Sequence, residues 1–127
     1  MRARASYDYA TIRVVARVDR EEFVNAGVIL FCPERDFLGA RVAFNPERLC
    51  ALFAEVDLDL VRRHLEAIPR ICEGASDAGP IAKLTRRERF HWLVAPRSTI
   101  IQLSPVHSGI CDSPEHALDE LFQKLVA

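Results

Sequence analysis

Residues 86–109, RRERFHWLVAPRSTIIQLSPVHSG, hold the side chains best suited to chemistry. Arg86, Arg87, Arg89 and Arg97 stand there with His91 and His107. Ser98, Thr99, Gln102, Ser104 and Ser108 follow the aromatic residues Phe90 and Trp92. Such groups bind anions or move protons. Arg97 followed by Ser98 and Thr99 offers a guanidinium fork and two hydroxyls to one phosphate or carboxylate. Arg89 and His107 would join them if the intervening chain folds back. A small enzyme or anion-binding domain would therefore be built on Arg89, Arg97, Ser98, Thr99 and His107. The competing use of these arginines is pairing with carboxylates such as Glu88 or Asp112.

No arrangement in the block matches a catalytic motif, so the reading leans away from an enzyme. Ser104 and His107 lack the strand–turn–helix setting of a nucleophile elbow, and Asp112 is the one evident carboxylate to orient the histidine. His91, His107 and Cys111 lack the paired short spacings of a zinc site, so no metal is expected. Phosphate-binding and dinucleotide-binding glycine patterns are absent, and no cofactor is expected. Phe90, His91 and Trp92 among arginines would suit stacked bases. Trp92, however, lies in an apolar run and reads as core, and the net charge of −1 argues against nucleic acid. Arginine and aromatic residues are also the types that anchor protein interfaces. A non-enzymatic protein-interaction module is the favoured reading, its partner being another protein or a second copy. An outer sheet edge, such as that of the first strand, is a further place for such pairing.

The totals set the frame. The 127 residues suit one domain spanning 1–127, able to bury its own core. Between Lys83 and His107, five Lys or Arg face one acid, a balance of +4 that leaves −5 for the rest. A basic patch on an acidic body follows. Cys32, Cys50, Cys72 and Cys111 form no C-x-x-C pair and read as reduced thiols of a cytoplasmic protein. No apolar run approaches the ~20 residues of a membrane span.

The elements that must carry these groups follow from periodicity. Residues 7–18 alternate, with Ala10, Ile12 and Val14 on one face and Tyr9, Thr11, Arg13 and Arg17 on the other, as in a half-buried strand. Alternation does not say whether Arg13 and Arg17 lie under a helix. Residues 23–32 are nearly all apolar and read as a central strand; Asn25 and Gly27 mark a bulge pinned by the Asn25 amide. Residues 37–44 alternate again, making an antiparallel meander.

Asn45-Pro46-Glu47 opens a helix, and Asp57 caps a second one carrying Leu58, Val61, Leu65, Ile68 and Cys72. Pro69 should kink or end it near residues 65–68. Gly74 is a C-terminal stop, and residues 73–82 read as a flexible loop. Thr85 and Glu88 form a capping-box pattern, favouring a short helix over a strand. Residues 99–103 read as a fourth strand and 104–111 as a loop. Ser113-Pro114-Glu115 starts the last helix. The fold class is α+β: an antiparallel sheet of about four strands with helices packed on one face, in the order βββααα(short)βα.

The stretches YDYATIRVVARVDREEFVNAGVIL and ERFHWLVAPRSTIIQLSPVHSG, with Asn25-Ala26-Gly27-Val28 in the first, resemble a bacterial family of small proteins, the domain-of-unknown-function family 3037. The resemblance runs over residues 7–126. It implies no chemistry. It suggests association with a HipA-like kinase, because such a kinase is often encoded beside family members.

Overall fold

The structure is a computed structural model that describes residues 4–17, 22–96 and 99–127. Strands β1 (Ala5–Arg17), β2 (Glu22–Cys32) and β3 (Phe37–Val42) come first. Helices α1 (Pro46–Leu52), α2 (Leu58–Glu73) and α3 (Arg86–Val94) follow, then β4 (Ile101–Leu103), β5 (His107–Cys111) and α4 (Pro114–Leu125).

All strand pairs are antiparallel. The sheet runs β3-β2-β1, and on the far side of β1 the next row is broken in two. There β4 pairs with residues 12–14 and β5 with residues 5–9. Pro105 sits at the break and has no N–H to donate. Ser104 mends the ladder: its backbone N–H donates to Thr11 O, and its hydroxyl oxygen accepts from the Thr11 N–H, both at 2.9 Å. Between β1 and β2 the register shifts where Ile12 faces Gly27 and Arg13 faces Asn25. A Cβ on Gly27 would stand 2.6 Å from the Arg41 carbonyl oxygen, so only glycine fits this close approach.

Each helix start has a local cause. Asn45, Asp57 and Ser113 accept at their side chains from backbone N–H groups of the first turn. Thr85 and Glu88 complete a reciprocal capping box. The hydrogen bonds from Thr85 hold the Glu88 carboxyl below its ordinary range.

The α+β class and the strands-before-helices order stand as read from the sequence, with five strands in the sheet. The helices, however, divide between its faces. Ile12, Val14, Ile29 and Phe31 share a core with Leu65 and Phe90, from the side of α1, α2 and α3. Val28, Leu30 and Cys32 share the opposite core with Leu118, Phe122 and Val126, from α4. β2 is therefore covered on both faces, and its unbroken apolar run reflects this.

Three further expectations are corrected. Helix α2 runs through Pro69 to Glu73, because Ile71 and Cys72 are buried on the same stripe as Val61, Leu65 and Ile68. Residues 107–111, read as loop, form β5. The first strand is not an edge: β1 lies between β2 and the β4–β5 row, and the edges are β3 and that row.

The loop after α2 is tied back at several points. Gly74 takes a left-handed φ of 69° and caps the helix. Ala75 N–H donates to Arg70 O at 3.1 Å, and Arg70 pairs with Asp77. A short 3-10 turn over Pro80–Lys83 leads to the Thr85 cap.

Candidate functional site

The residues of the basic block go to different places. Arg89 is buried under the end of α2. Its Nη1 donates to the carbonyls of Ile71 and Cys72, each at 3.0 Å, and its Nε to Thr85 O at 3.4 Å. Ile71 and Cys72 lie in the last turn of α2; the Ile71 carbonyl also accepts from the Gly74 N–H at 3.0 Å, and a cation there faces the negative end of the helix dipole. The guanidinium thus closes the joint between α2 and α3. It lies close enough to Gly74 that a Cβ there would meet Nη1 at 2.7 Å. The Cys72 thiol beside it is pushed up to about 12 by burial, a shift the nearby Arg89 charge only partly opposes.

His107 lies across the sheet from Arg89. It is on β5, exposed, on the α4 side, with its ring centroid 5.4 Å from that of Tyr9. The structure does not bring Arg89 and His107 together. Thr99 is exposed, and its hydroxyl donates to Ile101 O at 2.6 Å. Arg97 and Ser98 lie outside the described residues. Arg86 and Arg87 are exposed on α3, with Arg87 over the Phe31 ring at 5.4 Å. Trp92, read as core, is 40% exposed; α3 turns Arg89, Phe90 and Leu93 inward instead. At the sheet's irregularity, Asn25 Nδ2 donates to Leu125 O at 3.2 Å, joining β2 to the end of α4.

Sequence reasoning passed over a different region. Helix α4 packs over β2 and β3 and leaves much of the β1–β4–β5 half of its face uncovered. That half carries Tyr7, Tyr9, Arg13 and Gln102, all half-buried, with exposed His107. Alternation puts the odd-numbered residues of β1 on this face, since Ile12 and Val14 belong to the opposite core. Tyr7 and Tyr9 are 6.0 Å apart by ring centroids, and Tyr9 and His107 continue the row. Gly109 gives the row its room: a Cβ there would stand 2.4 Å from the Tyr7 ring and its hydroxyl. The signal available in the sequence was Tyr7-x-Tyr9 on the strand face opposite Ile12 and Val14.

Between this half-sheet and α4 runs an open cavity of about 440 Å³, lined among others by Tyr7, Ile110, Cys111, His116, Glu120 and Lys124. Burial, aided by Tyr9, Cys111 and Glu120, pushes the Tyr7 phenol above its ordinary value. Burial and the neighbouring Cys32 thiol push Cys111 up as well. Both shifts favour the neutral form, the opposite of an activated nucleophile. His116 is held by Glu120 at 2.8 Å. Among the described residues no group of three or more His, Cys, Asp or Glu converges as metal ligands would. Nor, among them, is any helix long and apolar enough to cross a membrane.

The family described as a protein of unknown function, DUF3037, matches residues 9–126. The chain belongs to the DUF3037 family. The match takes in both the half-open sheet face from Tyr9 onward and the α2–α3 joint at Arg89. No curated protein and no solved structure matches the chain.

Proposed function

We propose that this DUF3037 member is a protein-interaction module, and that its contact surface is the half of the sheet face beside α4. The observation that carries the reading is the row Tyr7, Tyr9 and His107, half-buried to exposed on a rigid sheet with an open cavity alongside. Tyrosine supplies large contact area at little entropic cost and is enriched where binding energy concentrates. A row fixed on strands and backed by α4 is preorganised, which lowers what association must overcome. At the sheet edge no described strand pairs with the outer side of β5.

The test is affinity purification of the tagged full chain at native expression, in parallel with Tyr9→Ala and His107→Ala, each checked for an unchanged melting temperature. A protein recovered with the wild type and lost from Tyr9→Ala is the expected result. Recovery of free monomer alone at low salt, or equal recovery by Tyr9→Ala, would overturn the reading.

A further inference from the structure

The half-open face ends at an arginine whose bonding is unfinished. Arg13 stacks its guanidinium over the Phe23 ring at 4.0 Å, and its Nε is buried with no acceptor. Facing it on β2, Asn25 uses Nδ2 on the Leu125 carbonyl while its Oδ1 is buried with no donor. Among the described residues no carboxylate pairs with Arg13, and none pairs with Lys124 on the α4 side of the cavity. Other arginines of the chain do have acidic partners: Arg41 meets Asp119, Arg62 meets Asp59 and Arg70 meets Asp77. A guanidinium held by stacking, half-buried and without an anion among the described residues, can receive one from outside.

We propose that this strip binds an acidic segment of a partner protein, with an Asp or Glu carboxylate seated on Arg13 and apolar side chains lying along Tyr9 and Tyr7. The inference rests on the reading that the half-open face is the contact surface, and it names the chemistry of the partner. Arg13 and Lys124 lack a described ion pair and favour an anionic group, and because Asp112 and Glu120 line the cavity beside Lys124, the acidic contact belongs at the Arg13 end. The spacing fits too. From Arg13 to Tyr7 along β1 is roughly 20 Å at ~3.4 Å per residue, the reach of about six extended residues. A nucleic acid is the poorer occupant. Two cations neutralise few phosphates, the net charge is −1, and Tyr7 and Tyr9 are tilted 47° against one another and packed on the α4 core.

The experiment is fluorescence anisotropy on the full chain with a labelled hexapeptide, Glu-Ser-Leu-Ser-Leu-Ser, whose glutamate and leucines share one face when extended. The same peptide with glutamine for glutamate and an octa-uridylate serve as comparisons. The acidic peptide should bind saturably, weaken as salt rises, and bind Arg13→Gln about tenfold less tightly. The glutamine peptide should not bind. Arg13→Lys, which keeps the charge but loses the planar fork, should bind less tightly than wild type; it decides the matter if Arg13→Gln does not fold. No binding, equal binding of the acidic and glutamine peptides, full affinity in the Arg13 variants, or tighter binding of octa-uridylate overturns the proposal. A native partner lost by Tyr9→Ala but kept by Arg13→Gln would reject the acidic segment while sparing the interaction module.

Discussion

Arg89 and Arg13 belong to opposite sides of one sheet, and their surroundings differ in kind. Around Arg89, three backbone carbonyls take the donors, α2 and α3 close over the stem, and little of the side chain meets solvent. Around Arg13, an aromatic ring supports the guanidinium, but Nε finds no acceptor and α4 leaves the neighbouring strand face half covered. The same residue type is a structural clamp in one place and an unmatched charge in the other. Residue type alone does not mark a site. What marks one is whether the fold has already satisfied the group.

This comparison can be broken or sharpened by measurement. The largest effect should come from Arg89→Met, which takes the guanidinium from the Cys72 carbonyl and leaves Ile71 only its bond from the Gly74 N–H. Urea unfolding should show a loss of about 3 kcal/mol, whereas Arg13→Gln should lose only about 1 kcal/mol, the worth of its stacking on Phe23. Equal losses would erase the distinction. Next is Gly27→Ala, whose new methyl must push the Arg41 carbonyl from a 2.6 Å approach. It should cost about 2 kcal/mol by the same measurement, and an unchanged midpoint would show that the bulge is pliable.

Ser104→Ala should cost about 1 kcal/mol, because the Thr11 N–H loses its hydroxyl acceptor at the break between β4 and β5. Amide exchange at Thr11 should quicken with it. The smallest effect is that of Glu88. Its folded-state carboxyl is lowered by Thr85, so its contribution is present above the ordinary carboxylate value and fades as pH falls through the lowered one. Thermal melts from pH 6 to pH 3 should show Glu88→Gln less stable than wild type at the upper end, with the two converging at the lower.

Much of the frame is legible in the sequence, because its causes are local. Asn45, Asp57, Thr85 and Ser113 cap helices whose hydrogen bonds lie within three residues, and the alternation of β1 places Ile12 and Val14 inward without reference to anything distant. What is not legible depends on partners far along the chain. β5 contains His107, Ser108 and Gly109, poor strand formers, and becomes a strand by pairing with residues 5–9; the Ser108 hydroxyl on the Asp8 carboxylate spans 100 positions. Pro69 signals a break that burial of Ile71 and Cys72 overrides. Arg89 looks like part of a basic surface until the carbonyl ends of α2 are seen to face it. The region beside Tyr7 and Tyr9 is hidden for another reason. Nothing in β1 reveals that the last helix covers β2 and β3 more fully than β1.

The most direct test is an NMR titration of the acidic hexapeptide into protein labelled with ¹⁵N at its arginine side chains. The Arg13 Nε–H signal should move through the titration while that of Arg89 stays in place. Movement of the Arg89 signal, or of the Arg86 and Arg87 signals with Arg13 unchanged, would contradict the assignment of the two faces.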